Sequence, residues 1–172
     1  MLFLILAMGC LSIDAAPESH WTPGVLVLTP EPKMIDITQR AVDKWRTALT
    51  GLDIHVGQAG VPVFSVPIVR DDRGKSVCGM TTVVDSERRV DRIASVEISA
   101  DVEYCFSKER VLIHEIAHAL TPDAPYGYHA KAGVFAAEAN AGPPEVDQAA
   151  IDAVCEIRGC HVIADSVGTG PE

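Results

Sequence analysis

Apolar positions recur along this chain with two different periods, and the switches between them lay out its elements. "GVLVL" at 24–28 is a β-branched run closed by Pro23 and Pro30, which predicts a strand. Ile37, Ala41, Val42, Trp45, Ala48 and Leu49 then recur at helical spacing. Asp36 and Gln39 precede them as a capping pair and Gly51 is the stop, so a helix is predicted with Trp45 on its core stripe. "LDIHV" (52–56), "VPVFSVPIV" (61–69), "GMTTVVD" (79–85) and "IASVEIS" (93–99) are predicted strands, separated by glycine, aspartate and charged turns. His55, isolated in one of them, reads as a surface or satisfied residue rather than a ligand. A second helical run, "ERVLIHEIAHALTP" at 109–122, has Ser107 as N-cap and Glu109 in its first turn, and must end near Thr121 because Pro122 cannot continue it. After the loop "TPDAPYGYHAKAG" and a short Ala-rich segment, a last helix is predicted from Pro144 to Gly159. Its stripe is Val146, Ala149, Ala150, Val154 and Ile157. No internal repeat is present, and this order predicts an α+β fold with the 109–121 helix packed across a sheet.

Composition narrows the picture. With 172 residues the chain fits one domain, over 20–172, behind an N-terminal leader. A formal net charge of −10, with no basic run longer than the mixed "RDDRGK" and "ERRVDR" segments, excludes the electrostatic footprint of a nucleic-acid binder. The leader, residues 1–16, is an apolar run too short to span a bilayer and predicts an export signal. Ala7-Met8-Gly9-Cys10 resembles a bacterial lipoprotein box, which would tether the protein to the envelope membrane through a lipidated Cys10. Cleavage near Ala15 or Ala16, or a buried N-terminal strand, are the competing readings. Of five cysteines, four remain if Cys10 carries lipid, and an even set suits an oxidising compartment. The expected pairs are Cys78 with Cys105 and Cys155 with Cys160, the second closing a short loop across Gly159. Zinc ligation by these thiols ranks behind, because no close CxxC pair occurs.

The chemistry concentrates in "HEIAH". Residues i and i+4 share one helix face, so His114 and His118 can turn a ring nitrogen toward one ion. Glu115 lies one step round, near enough to hold a water on that ion. This is the zinc hydrolase pattern, in which the metal brings its water to a pKa of about 7 and the glutamate takes the proton, then delivers it to the leaving amine. The competing reading is a core helix carrying two histidines by chance. Val111, Leu112, Ile113, Ile116, Ala117, Ala119 and Leu120 would bury that helix almost all round, where two imidazoles and a carboxylate need a compensating partner. A cation supplies one. Three residues compete as third protein ligand: His129, eleven residues after His118, is preferred, ahead of Glu138 and then Asp123.

"VLIHEIAHAL" resembles the active-site helix of zincin metallopeptidases. With "ITQRAVDKWRTAL" as a backing helix and "IASVEIS" as the strand lining a substrate cleft, residues 24 to 140 resemble a matrixin-like metzincin catalytic domain, though only the "HEIAH" core is sharply specific. The resemblance implies a mixed, mostly antiparallel sheet, a small C-terminal helical subdomain, zinc on His114 and His118, and Glu115 as general base. Metzincins continue HExxHxxGxxH, whereas Thr121 and Ala124 stand at the glycine and third-histidine positions here. An insertion in "TPDAPYGY" would make His129 the displaced ligand. "AGVF" at 132–135 then resembles the turn beneath the metal, with Phe135 in place of methionine, and Tyr126 or Tyr128 would stabilise the oxyanion. Glu138 as ligand would instead resemble the gluzincins. The expectation is an exported, monomeric zinc metalloendopeptidase that takes a peptide or protein substrate as an added strand on the sheet edge. The alternatives are a non-catalytic, zinc-stabilised envelope lipoprotein or binding module on the same fold, and a structural lipoprotein without metal.

Overall fold

The computed structural model describes residues 25–86, 89–101, 105, 107–121, 134, 144–158 and 160–162. The leader with Cys10, and Asp123, Tyr126, Tyr128, His129, Phe135 and Glu138, lie outside the described residues. In chain order the elements are β1 (Val25–Pro30), a 3-10 turn (Pro32–Met34), α1 (Ile35–Ala48), β2 (Leu49–Thr50), β3 (Asp53–Val56), β4 (Val61–Val66), β5 (Val69–Arg70) and β6 (Ser76–Val77). There follow β7 (Gly79–Ser86), β8 (Arg89–Ser99), α2 (Lys108–Leu120), α3 (Gln148–Arg158) and β9 (His161–Val162). The fold is mixed α+β. Its main sheet runs β3-β1-β4-β8-β7, and β2–β9 and β5–β6 form small antiparallel ladders.

The sheet is mixed, but the expectation of mostly antiparallel pairing is wrong: β1–β3, β1–β4 and β4–β8 are parallel and only β7–β8 is antiparallel. Two crossings cause the first two parallel pairs, and the passage from β4 through β7 to β8 gives the third. Helix α1 carries the chain back between β1 and β3, as parallel strands require. Residues 57–60, which look like a turn, instead take the chain across β1. That strand pairs with β3 through Val25–Leu28 and with β4 through Leu28–Pro30. The Gly57 amide donates to Leu28 O (2.9 Å) and the Gly60 amide to Thr29 Oγ1 (2.8 Å). A Cβ on Gly60 would lie 2.3 Å from Val27 O, so only glycine fits against that backbone. Gly60→Ala is therefore expected to cost at least the upper end of the ~1–3 kcal/mol typical of overpacking, because a main chain cannot swing aside as a side chain can. A urea midpoint unchanged from wild type would refute the crossing.

Strand β8 also begins earlier than its apolar run, because it pairs with β7 back to Ser86–Arg89. It lies between β4 and β7, so "IASVEIS" is an interior strand. The end strand beside α2 is β7. The run at 61–69 breaks after Val66, and Val69 turns into the β5–β6 ladder.

Leu26, Leu28, Ile54, Val63, Val96 and Ile98 form the buried sheet face, and α1 and α2 cover it with Ala41, Val42, Trp45, Leu112, Ile113 and Ile116. Asp36 and Gln39 do not cap α1: Pro32 opens a turn that runs straight into the helix through Met34, and Gln39 Nε2 donates to Asp43 Oδ1. Ser107 does cap α2, its hydroxyl accepting the Arg110 amide (3.2 Å). Helix α3 starts at Gln148 rather than Pro144, since Asp147 Oδ1 accepts the Ala150 amide (3.0 Å) and serves as N-cap. Its inner face is Asp147, Ala150, Ile151, Val154 and Arg158, whereas Ala149 and Ile157 are exposed. A stripe counted from apolar residues alone is rotated off this face because the two polar ends also point inward. Arg158 Nε donates to Leu120 O at the end of α2. The apolar side chains of α3 join the main core rather than forming a subdomain of their own.

Both expected disulfides are present. Cys78–Cys105 (Cα–Cα 5.4 Å) ties the start of β7 to the approach to α2, and Cys155–Cys160 (4.6 Å) ties the end of α3 to β9. Such bridges suit an oxidising, extracellular compartment. Among the described residues no helix is long and apolar enough to cross a membrane.

Candidate metal centre

Helix α2 is buried almost all round, as its apolar sequence requires, between α1, the β7–β8 hairpin and α3. His114 and Glu115 are buried with it, while His118 is half-buried. The i, i+4 spacing brings the two rings together: His118 Nε2 lies 3.0 Å from His114 Nε2, with the ring planes at 83°. The tautomer of His114 is set from behind. Its Nδ1 faces Val134 O, a carbonyl that can only accept, so Nδ1 carries the hydrogen, and in the neutral form of the ring the lone pair lies at Nε2. That lone pair points to where His118 also points.

The Glu115 carboxyl is held asymmetrically by β7. The Thr81 hydroxyl donates to Glu115 Oε2 (2.9 Å) and to Glu115 O (2.8 Å). Oε1 lies 4.0 Å from His114 Nε2. Beneath it is Gly79, where a Cβ would come within 2.8 Å of Oε1 and 2.9 Å of Cγ, so the missing side chain makes room for the carboxyl. Burial pushes Glu115 up to about 8 from an ordinary 4.5, with the Thr81 hydrogen bonds opposing the shift. Without a neighbouring cation the carboxyl is thus held neutral at pH 7, and a dication beside it would restore the anion.

Behind the histidines, the buried Arg110 donates from Nη1 to Glu145 O (2.6 Å). Its own pKa is lowered by burial and raised by the charges of Asp147 and Glu145. Asp147 reaches further: its Oδ2 accepts the Val134 amide, on the same residue whose carbonyl meets His114.

The structure therefore places His114, Glu115 and His118 together. Among the described residues no group of three His, Cys, Asp or Glu side chains converges as a metal site, and His129, Glu138 and Asp123 lie outside them. His55 sits half-exposed on the end strand β3 with its Nδ1 2.9 Å from Asp53 Oδ1, as expected of a surface or satisfied residue. Gly79, Thr81 and Asp147 were not found from the sequence. For the first two no spacing rule links residue 79 or 81 to 115; for Asp147 the signal was an N-cap residue three before Ala150. Neither protein-family models nor curated protein sequences gave a match to this chain.

Proposed function

We propose that this chain is a zinc-dependent metalloendopeptidase of zincin type that hydrolyses peptide bonds. The observation that carries the reading is the 3.0 Å approach of the His114 and His118 Nε2 atoms beside the Glu115 carboxyl. Two nitrogens bound to one zinc at about 2.0–2.1 Å can be no more than about 4.2 Å apart, so the pair fits a shared ion. The donor types fit as well: neutral imidazole is a preferred zinc ligand, and a histidine whose Nδ1–H is committed to a carbonyl is poised to bind through Nε2.

His114 and His118 would hold the metal with His129 as third ligand; Glu138 or Asp123 are the alternatives. Bound zinc would supply Lewis acidity to the scissile carbonyl and bring a water to a pKa of about 7. The remaining steps fall to the chain itself. Thr81 keeps Oε2 of Glu115 in place, which leaves Oε1 to take the proton from the attacking water and pass it to the leaving amine. An extended peptide would lie along β7, the end strand on this side of the sheet, and borrow its register from main-chain hydrogen bonds. The disulfides and leader support action outside the cytoplasm, with Cys10 as a lipid tether to a bacterial envelope.

Metal analysis tests this directly. Wild type is expected to carry one zinc per chain, lost in His118→Ala and in one alone of His129→Ala, Glu138→Ala and Asp123→Ala. Hydrolysis of an unfolded protein should stop with a chelator and return with zinc. A folded wild type that neither binds zinc nor cleaves after zinc addition would sink the proposal, and stoichiometric zinc without cleavage would favour the binding-module reading.

A further inference from the structure

Asp147 lies outside the HExxH pattern, yet it is hydrogen-bonded at both oxygens. Oδ1 accepts the Ala150 amide and caps α3; Oδ2 accepts the Val134 amide; Val134 O accepts from His114 Nδ1. The carboxylate, the backbone of one residue and one imidazole are therefore joined in line. We propose that Asp147 is a positioning residue of the metal centre, which through the Val134 backbone holds the His114 ring with Nε2 turned toward His118.

First, a cap needs only one acceptor oxygen, and Ser or Thr would serve α3 about as well; the second oxygen of Asp147 is spent on Val134 instead. Second, the Val134 amide and carbonyl flank one Cα, so a carboxyl group that holds the amide also restrains where the carbonyl points. A fixed acceptor at Nδ1–H fixes the tautomer and orientation of the ring, and so the direction of Nε2, the atom that faces His118. Third, Asp147 is itself fixed. Helix α3 packs into the core through Ala150, Ile151 and Val154 and ties to the end of α2 through Arg158, while Arg110 of α2 donates to Glu145 O two residues before Asp147. The residue behind His114 thus belongs to a helix docked on the helix that bears His114, which makes the distance between them rigid.

The link to a metal rests on the zinc reading above; the link to the His114 tautomer does not. The test uses the full chain with Asp147→Ser and Asp147→Thr, which keep a capping hydroxyl but are too short to reach Val134, and Asp147→Asn as a milder change. Zinc affinity, measured by competition with a chelator, is expected to fall about 10–100-fold in the Ser and Thr variants, the range seen for partners of metal-bound histidines. The thermal midpoint of the metal-free variants should stay within about 4 °C of wild type, since the cap survives. In metal-free wild type, nitrogen-15 spectra should show His114 protonated at Nδ1 with slow proton exchange. That exchange should become fast in the Ser and Thr variants. Unchanged zinc affinity with an unchanged His114 N–H would overturn the proposal, and so would unfolding of both variants, which would make Asp147 purely structural. If wild type bound no zinc, the zinc reading would fall and the His114 N–H comparison alone would decide the role of Asp147.

Discussion

Glu115→Gln should lose about 10²–10⁴-fold in peptide hydrolysis while keeping its zinc, because a positioned general base contributes about that much and the two histidines are untouched. The variant is nearly isosteric. Its amide oxygen can still accept from Thr81, and the space above Gly79 stays filled. What it cannot do is take a proton. The same change acts in the opposite direction on the metal-free fold. Burial raises the Glu115 carboxyl to about 8, so between pH 4.5 and about 8 the folded chain keeps a proton that the unfolded chain has released. Stability from this group is complete below pH 4.5 and is lost as pH rises toward 8, on the order of 3 kcal/mol by pH 7. Glutamine has no such loss. Metal-free Glu115→Gln should therefore be more stable than metal-free wild type at pH 7.5 and nearly equal to it at pH 4.5, and zinc should narrow the gap by favouring the wild-type anion. Steady-state cleavage, zinc content and urea unfolding at the two pH values read all of this. Wild-type turnover in the glutamine variant would remove Glu115 from the chemistry.

The half of the site that a local period governs was legible in the sequence. His114 and His118 fall one helical turn apart, in a run apolar enough to require burial, and Ser107 and Pro122 bracket that run. Strand positions were legible for the same reason, since β-branched runs between turn residues announce themselves. Direction and order were not. Nothing in "GQAG" distinguishes a reversal from a crossing; the pairing of β1 with β3 through Val25–Leu28 and with β4 through Leu28–Pro30 shows which it is, and the 2.3 Å approach of a Gly60 Cβ to Val27 O explains the glycine. That crossing makes β1–β4 parallel, and the β7–β8 hairpin then puts "IASVEIS" inside and "GMTTVVD" at the end of the sheet. The residues that shape the Glu115 carboxyl, Gly79 and Thr81, follow from that order and from no motif. Helix α3 shows a related failure. Its inward face begins and ends with charged residues, Asp147 and Arg158, so the expected helix starts four residues early and its apolar stripe faces the wrong way. In both cases polar atoms satisfied across long sequence separations decide the geometry, and such partners have no period.

Trp45→Ala should be the most destabilising single change considered for the core, at about 3–5 kcal/mol. Trp45 is fully buried on α1, and its Nε1 donates to Ile113 O (3.2 Å), one residue before His114. Truncation empties the space between α1 and α2, and rigid helices on a common sheet face collapse into it only in part. The hydrogen bond adds little to that sum, because Ile113 O sits inside α2 and keeps a helical partner. Trp45→Phe should accordingly cost much less than Trp45→Ala, since most of the buried area remains. A second link joins the same two helices: Arg40 Nε lies 2.7 Å from Glu109 Oε2. The Arg40 side chain is 57% exposed, so water and salt screen the pair and Arg40→Ala should cost less than about 1 kcal/mol. The comparison separates two accounts of how α2 is held over the sheet. If packing holds it, Trp45→Ala weakens zinc binding along with stability, because the His114 backbone loses its support, and Arg40→Ala changes neither. A larger loss from Arg40→Ala than from Trp45→Ala would mean that the surface charges, not the core, set the position of the histidine-bearing helix.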